Sequence, residues 1–382
     1  MRSVRILITF LLIFGSTTFA QTALPMATSS PTVAFVYLAS RDLSHPVDAF
    51  SLQADGSAHL VPGSPFTSNA LTSPTPQTLV AASTNFLFIS DTQNIATFRR
   101  NSNGSLSFAF VVSAASELAT LDTLTLDRTA ANLYAGGGRF GAGEYLLFDK
   151  GTQGRLTVTS QLSGTQSDGE LQFDHSNKFA YTTYHAFLNL PEVTGQHCSF
   201  EAYTRAADGT LTPFDPSLVP PSGVADSEFC PASAASSALG YLAVAYRTLV
   251  NNQGTGVHSI AVYKILGSGQ LVLVSNLVTT LDAVLPATVK FDPSGTFLAA
   301  AGTNGIQLFK LTSTGQLTQS GSSLYTHTGF RDVRWDHSNH VIAISFGAVY
   351  FFGVKNGQLV QTNPPVDLGH PGILDMKVVS LQ

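Results

Sequence analysis

Residues 286–321 read PATVKFDPSGTFLAAAGTNGIQLFKLTSTGQLTQSG, and the same pattern returns at roughly 45-residue intervals along the chain. Thr288 to Phe291 is a short apolar strand, and Asp292-Pro293-Ser294-Gly295 supplies turn residues. Phe297 to Ala301 is a buried run, Gly302-Thr303-Asn304-Gly305 turns again, Ile306 to Leu311 is a third strand, and Gln316 to Gln319 follows Thr314-Gly315 as a fourth. Four short antiparallel strands per repeat predict an all-β protein, a seven-bladed β-propeller with four-stranded blades.

Worked outward, the pattern places one repeat at each of seven positions. An Asp closes the innermost strand at Asp127, Asp174, Asp292 and Asp336, with Ala82 and about Ser236 in that place in the second and fifth units. The first unit begins at its second strand, Ala34 to Ala39, and lacks an innermost one. The chain ends on a lone strand, Ile373 to Val379. That strand is predicted to complete the first blade and close the ring, which removes exposed sheet edges.

The N-terminus carries Arg2 and Arg5, the apolar run Ile6 to Gly15, and small residues up to Ala20. The run is too short to span a bilayer and reads as a secretory signal peptide over residues 1–20. A disordered leader over 21–32 and a single propeller domain over 33–382 follow, so an exported protein, periplasmic or extracellular, is expected without membrane insertion. The formal charge is −5 and becomes −7 without Arg2 and Arg5. Charged residues make up 11 % of the chain, and the only adjacent basic pair is Arg99-Arg100, so nucleic acid is not an expected partner. Cys198 and Cys230 are the only cysteines. Export favours a disulfide between them across the Pro-rich segment, with two buried free thiols as the alternative.

In a propeller the loops entering the first strand and leaving the second open on one face, and those loops gather most of the scarce charges. The ligand-binding candidates there are Arg41, Arg139, Tyr184, Glu228 and Asp332. Glu170, His185, Arg331, Asp91 and Arg247 are the catalytic candidates. His185 reads equally as an exposed loop histidine, and Arg331-Asp332 as a structural ion pair. Gly136 to Gly143 is a glycine-rich stretch with no following helix and no Gly-Lys-Ser/Thr, so it reads as a flexible inter-strand loop rather than a phosphate cradle. There is no Gly-x-Ser-x-Gly elbow, His-Glu-x-x-His or calcium loop. No metal or cofactor is expected.

Three segments carry a resemblance: Val289-Lys290-Phe291-Asp292-Pro293-Ser294-Gly295, Ile306-Gln307-Leu308-Phe309 with Thr314-Gly315-Gln316-Leu317, and Val61-Pro62-Gly63-Ser64-Pro65-Phe66. They resemble the seven-bladed propeller lactonase family, which includes 6-phosphogluconolactonase-like and muconate cycloisomerase-like proteins. The resemblance implies lactone chemistry without a redox cofactor. Where that family often has Gly-Pro-Arg-His, this chain has Gly329-Phe330-Arg331-Asp332, and Asp91-Thr92-Gln93 stands where Asp-Leu-Gly is usual. If the implied activity holds, Glu170 or His185 is the expected base, Asp91 a second acid, and Arg331 or Arg247 the oxyanion stabiliser. A small lactone or carbohydrate is the expected partner of a monomer. The competing expectation is a non-catalytic propeller that binds a carbohydrate, peptide or envelope partner.

Overall fold

The computed structural model describes residues 30–381 apart from 41–45, 68–70, 72–78, 115–117, 119, 140–141, 166–168, 190–193, 252, 278–285, 322–324, 327–328, 346 and 370–371. Residues 1–20, read above as a signal peptide, and most of the segment read as a leader lie outside the described residues. The leader read as running through Thr32 ends earlier, because the strand Thr32–Ser40 begins there and Thr32 pairs with Gln53.

Seven antiparallel sheets make the ring. Each innermost strand is short: Leu79–Ala82, Thr123–Leu126, Gln172–Phe173, Phe229–Ser236, Pro286–Phe291 and Asp332–Trp335 in blades two to seven. Blade one takes its innermost strand from the C-terminus. Ile373–Ser380 pairs antiparallel with Thr32–Ser40, placing Phe35 opposite Val379 and Tyr37 opposite Lys377. Blades six and seven carry a short fifth strand, Tyr325–Thr326 and Val366–Asp367, beside their third strands.

The Asp positions are turn anchors. Asp292 lies buried with Oδ1 accepting from the backbone N–H groups of Thr296 and Phe297, both at 2.7 Å. Asp174 and Asp336 repeat the arrangement. In the second and fifth blades the equivalent residues are Ser83 and Ser237, one place later than the sequence pattern put them. Ser83 Oγ accepts from Phe86 N–H at 3.2 Å, and Ser237 N–H donates to the Tyr241 carbonyl at 2.8 Å.

Apolar residues run consecutively along the second strands, with every position of Phe86–Ser90 and His340–Ile344 buried, so successive side chains fill both faces and each blade buries both against its neighbours. The core is correspondingly divided into clusters at the blade interfaces. Val36 and Leu38 of blade one pack on Ile342 and Phe351 of blade seven, and Ala243 and Val262 of blade five pack on Phe309 and Leu317 of blade six. Each fully buried large side chain there stabilises the ring by about 1.5–3 kcal/mol. Tyrosine hydroxyls add direct brackets between blades. Tyr134 donates to the Gly209 carbonyl at 2.6 Å, Tyr181 to Gly269 at 2.6 Å, and Tyr241 to Ser313 at 2.9 Å.

The structure corrects one local reading. The glycine-rich stretch is not a flexible loop: Asn132–Arg139 and Ala142–Lys150 are paired antiparallel strands with Gly137 opposite Glu144. A Cβ on Gly137 would lie 1.7 Å from the Thr120 carbonyl oxygen, so the close approach of a neighbouring backbone, not looseness, requires glycine there. Matching long hairpins, Phe179–Asn189 with Thr194–Arg205 and Tyr241–Val250 with Gln253–Ile265, rise from blades four and five. Cys198 and Cys230 are joined by a disulfide with Cα atoms 5.2 Å apart, tying the blade-four hairpin to the innermost strand of blade five.

Candidate functional site in the central channel

The inner strands share a register, because each ends at its turn anchor. Four residues before that anchor stand Leu79, Thr123, Glu170, Ser233, Thr288 and Asp332 in blades two to seven; Asp375 holds the like place in blade one. Two residues before it stand Ala81, Thr125, Gln172, Ala235, Lys290 and Arg334, with Lys377 in blade one. The channel is thus lined by two stacked tiers. The upper, near the ends where the inner strands begin, carries Glu170, Asp332 and Asp375 among hydroxyl side chains. Beneath it Lys290, Arg334 and Lys377 come from three consecutive blades.

Glu170 reaches across the channel and joins them. Its carboxylate lies 2.6 Å from Lys290 Nζ, 3.2 Å from Arg334 Nη1 and 2.9 Å from Lys377 Nζ. Arg334 also contacts Asp332 at 2.8 Å and Asp375 at 3.6 Å. Burial alone would raise the Glu170 pKa, but Arg334, Lys290 and Lys377 together outweigh it and hold the carboxyl well below its usual range. Burial lowers Lys290, reinforced by the Arg334 charge. Asp332 moves the other way: burial raises it, and Arg334 and Lys290 only partly offset the rise.

Two cavities meet at this cluster on the face where the inner strands begin. The larger, about 470 Å³, is lined by Asp122, Thr123, Glu170, Tyr184, Arg334, Asp375 and Lys377, with Leu79, Leu124 and Gly169. A second, about 230 Å³, runs past Glu170, Ser233, Thr288, Lys290, Arg331, Asp332 and Arg334. The structure therefore brings together Glu170, Tyr184, Arg331 and Asp332 of the residues singled out in the sequence.

The others stand elsewhere. Asp91 is buried in the turn after the second strand of blade two, where Oδ1 accepts from the N–H groups of Gln93 and Asn94 at 2.8 and 2.6 Å. Arg247 is buried opposite Cys230, its pKa lowered by burial, and lines neither cavity. Glu228 closes a short 3₁₀ turn, Asp226–Glu228, and also lies off both cavities. His185 and Arg139 sit in paired strands opposite Cys198 and Ala142, and only their backbones are described. Arg41 lies outside the described residues. Among the described residues no group of three or more His, Cys, Asp or Glu is arranged to hold a metal ion, and no helix is long and apolar enough to cross a membrane.

Sequence reasoning missed Lys290, Arg334, Lys377 and Asp375, because it looked for function only in loops. Their signal was present: TVKFD, DVRWD and DMKVV place a cation at one register position of three inner strands.

No family model and no curated protein matches the sequence. Solved structures do share the fold. A provisionally assigned 6-phosphogluconolactonase from Bacteroides uniformis aligns with TM-score 0.64 and 12 % identity, over 91 % of this chain and 100 % of its own. One of the same description from Bacteroides fragilis gives 0.60 and 13 %, over 92 % and 99 %. The periplasmic gluconolactonase of Pseudomonas aeruginosa gives 0.63 and 16 %, over 91 % and 99 %. Both the ring of seven blades and the likeness to lactonase-type propellers thus stand at the level of fold.

Proposed function

We propose that the protein is an exported, lactonase-like propeller whose channel mouth binds and hydrolyses a small hydroxyl-rich lactone. The observation that carries this reading is the two-tier lining, with carboxylates and hydroxyls above a row of cations in one open channel. Carboxylate and hydroxyl groups accept and donate hydrogen bonds to ring hydroxyls, while a cation beside the carbonyl oxygen stabilises the oxyanion formed on attack. Similarity in fold to the periplasmic gluconolactonase supports both the substrate class and export.

The roles follow from the electrostatics. A carboxylate held far below its usual range is a weak base, so Glu170 serves as the anchor that fixes three cations rather than as the group that takes the proton from water. Asp332, raised by burial and lining the second cavity beside Arg331, is the better proton acceptor. It would activate a water that attacks the lactone carbonyl, with Arg331 or Arg334 beside the developing oxyanion. Collapse of the tetrahedral intermediate breaks the ring C–O bond and releases a hydroxy acid, its alkoxide taking up the proton.

The test is proton release from a panel of aldono- and acyl-lactones by the purified protein. Turnover that falls at least ~10²-fold in Asp332→Asn, and falls also in Arg331→Ala, with the fold intact, supports the reading. No turnover on any lactone would discard it. The second reading, a polyol-binding propeller without turnover, is favoured by one observation: Lys290, Arg334 and Lys377 are all engaged by carboxylates. Saturable binding of the same panel without hydrolysis would establish it.

A further inference from the structure

The two cavities at the mouth differ in character. The smaller is lined almost wholly by polar groups, among them Ser233, Thr288, Arg331 and Asp332. The larger adds apolar surface from three consecutive blades, Leu79 of blade two, Leu124 of blade three and Tyr184 of blade four, to the carboxylates of Asp122 and Asp375. The cavities meet at Glu170, Arg334 and Asp375. At about 230 Å³ the smaller falls below the ~300–1,000 Å³ of a pocket that holds a whole ligand, whereas the larger, about 470 Å³, lies within it. A lactone ring confined beside Asp332 and Arg331 therefore leaves the larger part of the mouth to water.

The chemistry of the larger cavity selects what fills it. Arg334 and Lys377 are neutralised by Glu170, at 3.2 and 2.9 Å, so a ligand here meets carboxylate acceptors rather than open cations. Both acids can be reached, since Asp375 is 14 % exposed and Asp122 is half-buried. Asp375 Oδ2 accepts from the Val80 N–H at 3.0 Å, and a carboxylate oxygen has room for a second donor. Such acceptors repel a phosphate or carboxylate on the ligand and favour hydroxyl donors. A plain alkyl chain would cover the leucines but strip water from two carboxylates without replacing it. A pyranose unit meets both demands, because its ring faces carry C–H groups and its rim carries hydroxyls, a match for the apolar face and polar tip of a tyrosine.

Tyr184 is also held in place. It pairs with Ser199 in the blade-four hairpin, beside Cys198. The disulfide from Cys198 reaches Cys230 on the innermost strand of blade five, Phe229–Ser236, which also carries Ser233 of the smaller cavity. One covalent link thus fixes the hairpin of the larger cavity against the wall of the smaller, and a preset spacing lowers the cost of binding a two-part ligand.

We propose that the larger cavity is a glycosyl subsite, with Tyr184 as its stacking platform and Asp122 and Asp375 accepting from sugar hydroxyls. The preferred substrate is then a disaccharide lactone whose lactone ring occupies the smaller cavity, an assignment that rests on the hydrolytic reading of the mouth.

The experiment measures kcat/KM for lactobiono-δ-lactone, glucono-δ-lactone and the alkyl-substituted δ-decalactone, each corrected for spontaneous hydrolysis, with calorimetric titration of lactose in parallel. The disaccharide lactone is expected to exceed gluconolactone at least ~10-fold, through KM. Tyr184→Ala is expected to abolish that ratio with the fold intact and Tyr184→Phe to keep it, because stacking requires the ring and not the hydroxyl. A ratio near one, a ratio kept in Tyr184→Ala, or preference for δ-decalactone overturns the proposal. If no lactone is turned over, the hydrolytic reading fails by itself and lactose decides the subsite. Saturable lactose binding weakened at least ~10-fold in Tyr184→Ala sustains it; no saturable binding, or binding untouched by that change, discards it.

Discussion

Glu170 is the residue on which the channel turns, since its carboxylate bonds side chains from blades six, seven and one. Its partners are mostly buried, with Lys290 11 % and Arg334 14 % exposed. Removing one member of such a cluster leaves uncompensated charge. Glu170→Gln is therefore expected to lower unfolding free energy by about 2–3 kcal/mol, at or below the lower end of the roughly 3–5 kcal/mol for a broken buried pair, because the Glu170 side chain is itself 29 % exposed. The pH dependence has a definite sign. A carboxyl whose folded pKa is depressed stabilises the fold above its unfolded value, about 4.3 for Glu, and that stability is lost as pH falls through the folded pKa. Asp332, raised in the fold, has the opposite sign: its contribution favours the fold at low pH and is lost as pH rises through the raised value. Denaturant midpoints measured from pH 7 down to pH 3 should fall for the unaltered protein and flatten in Glu170→Gln. Parallel curves for the two would show that the three cations do not depend on this carboxylate.

At the scale of elements, the sequence disclosed strand positions better than strand lengths. Turn chemistry marked the inner and outer ends of blades well, because Asp292, Asp174 and Asp336 each close a turn with their own carboxylates. The hairpins of blades three, four and five run further than the alternation suggested. Glycine reads as a breaker on entropic grounds, yet Gly137 is in a strand because the Thr120 carbonyl fills the space a side chain would need. A contact between distant backbones leaves no local mark, so this could not be read ahead of the structure. The disulfide belongs to the same scale, joining the blade-four hairpin to blade five with a sequence separation of 32. The entropy model assigns a loop of that size roughly 3–4 kcal/mol. The double variant Cys198→Ser/Cys230→Ser is expected to lose that much in chemical denaturation, and dithiothreitol to reproduce the loss in the unaltered protein. An unchanged midpoint under both treatments would mean that blade packing alone fixes the hairpin.

For the whole molecule, the legible part was the ring and the illegible part its interior. Seven repeats and an orphan C-terminal strand were enough to place Ile373–Ser380 beside Thr32–Ser40, because an unpaired inner strand at one end demands a partner at the other. The cation tier was written in the same register but hidden by its context: Lys290, Arg334 and Lys377 sit in apolar runs, where a lone charge looks like a solvated exception. Only closure of the ring puts these three beside Glu170 from the far side. Closure also gives the last prediction. Leu381 N–H donates to the Val33 carbonyl at 2.7 Å, so the ends of the propeller lie side by side and a short linker can join residue 381 to Pro31. Opening such a permuted chain at the turn Asn356-Gly357 leaves blade seven shared between the new termini, so hydrogen-bonded strands still close the ring. Opening it at Gly321, between blades six and seven, leaves that junction to side-chain packing, chiefly the cluster containing Leu308, Phe330, Tyr350 and Phe352, and to the short pairing of Tyr325–Thr326 with the third strand of blade six. Denaturant midpoints should stay near the original for the first permutant and fall for the second. Equal midpoints would mean that the apolar interface and this short pairing close the ring without a shared blade, which then contributes no measurable stability.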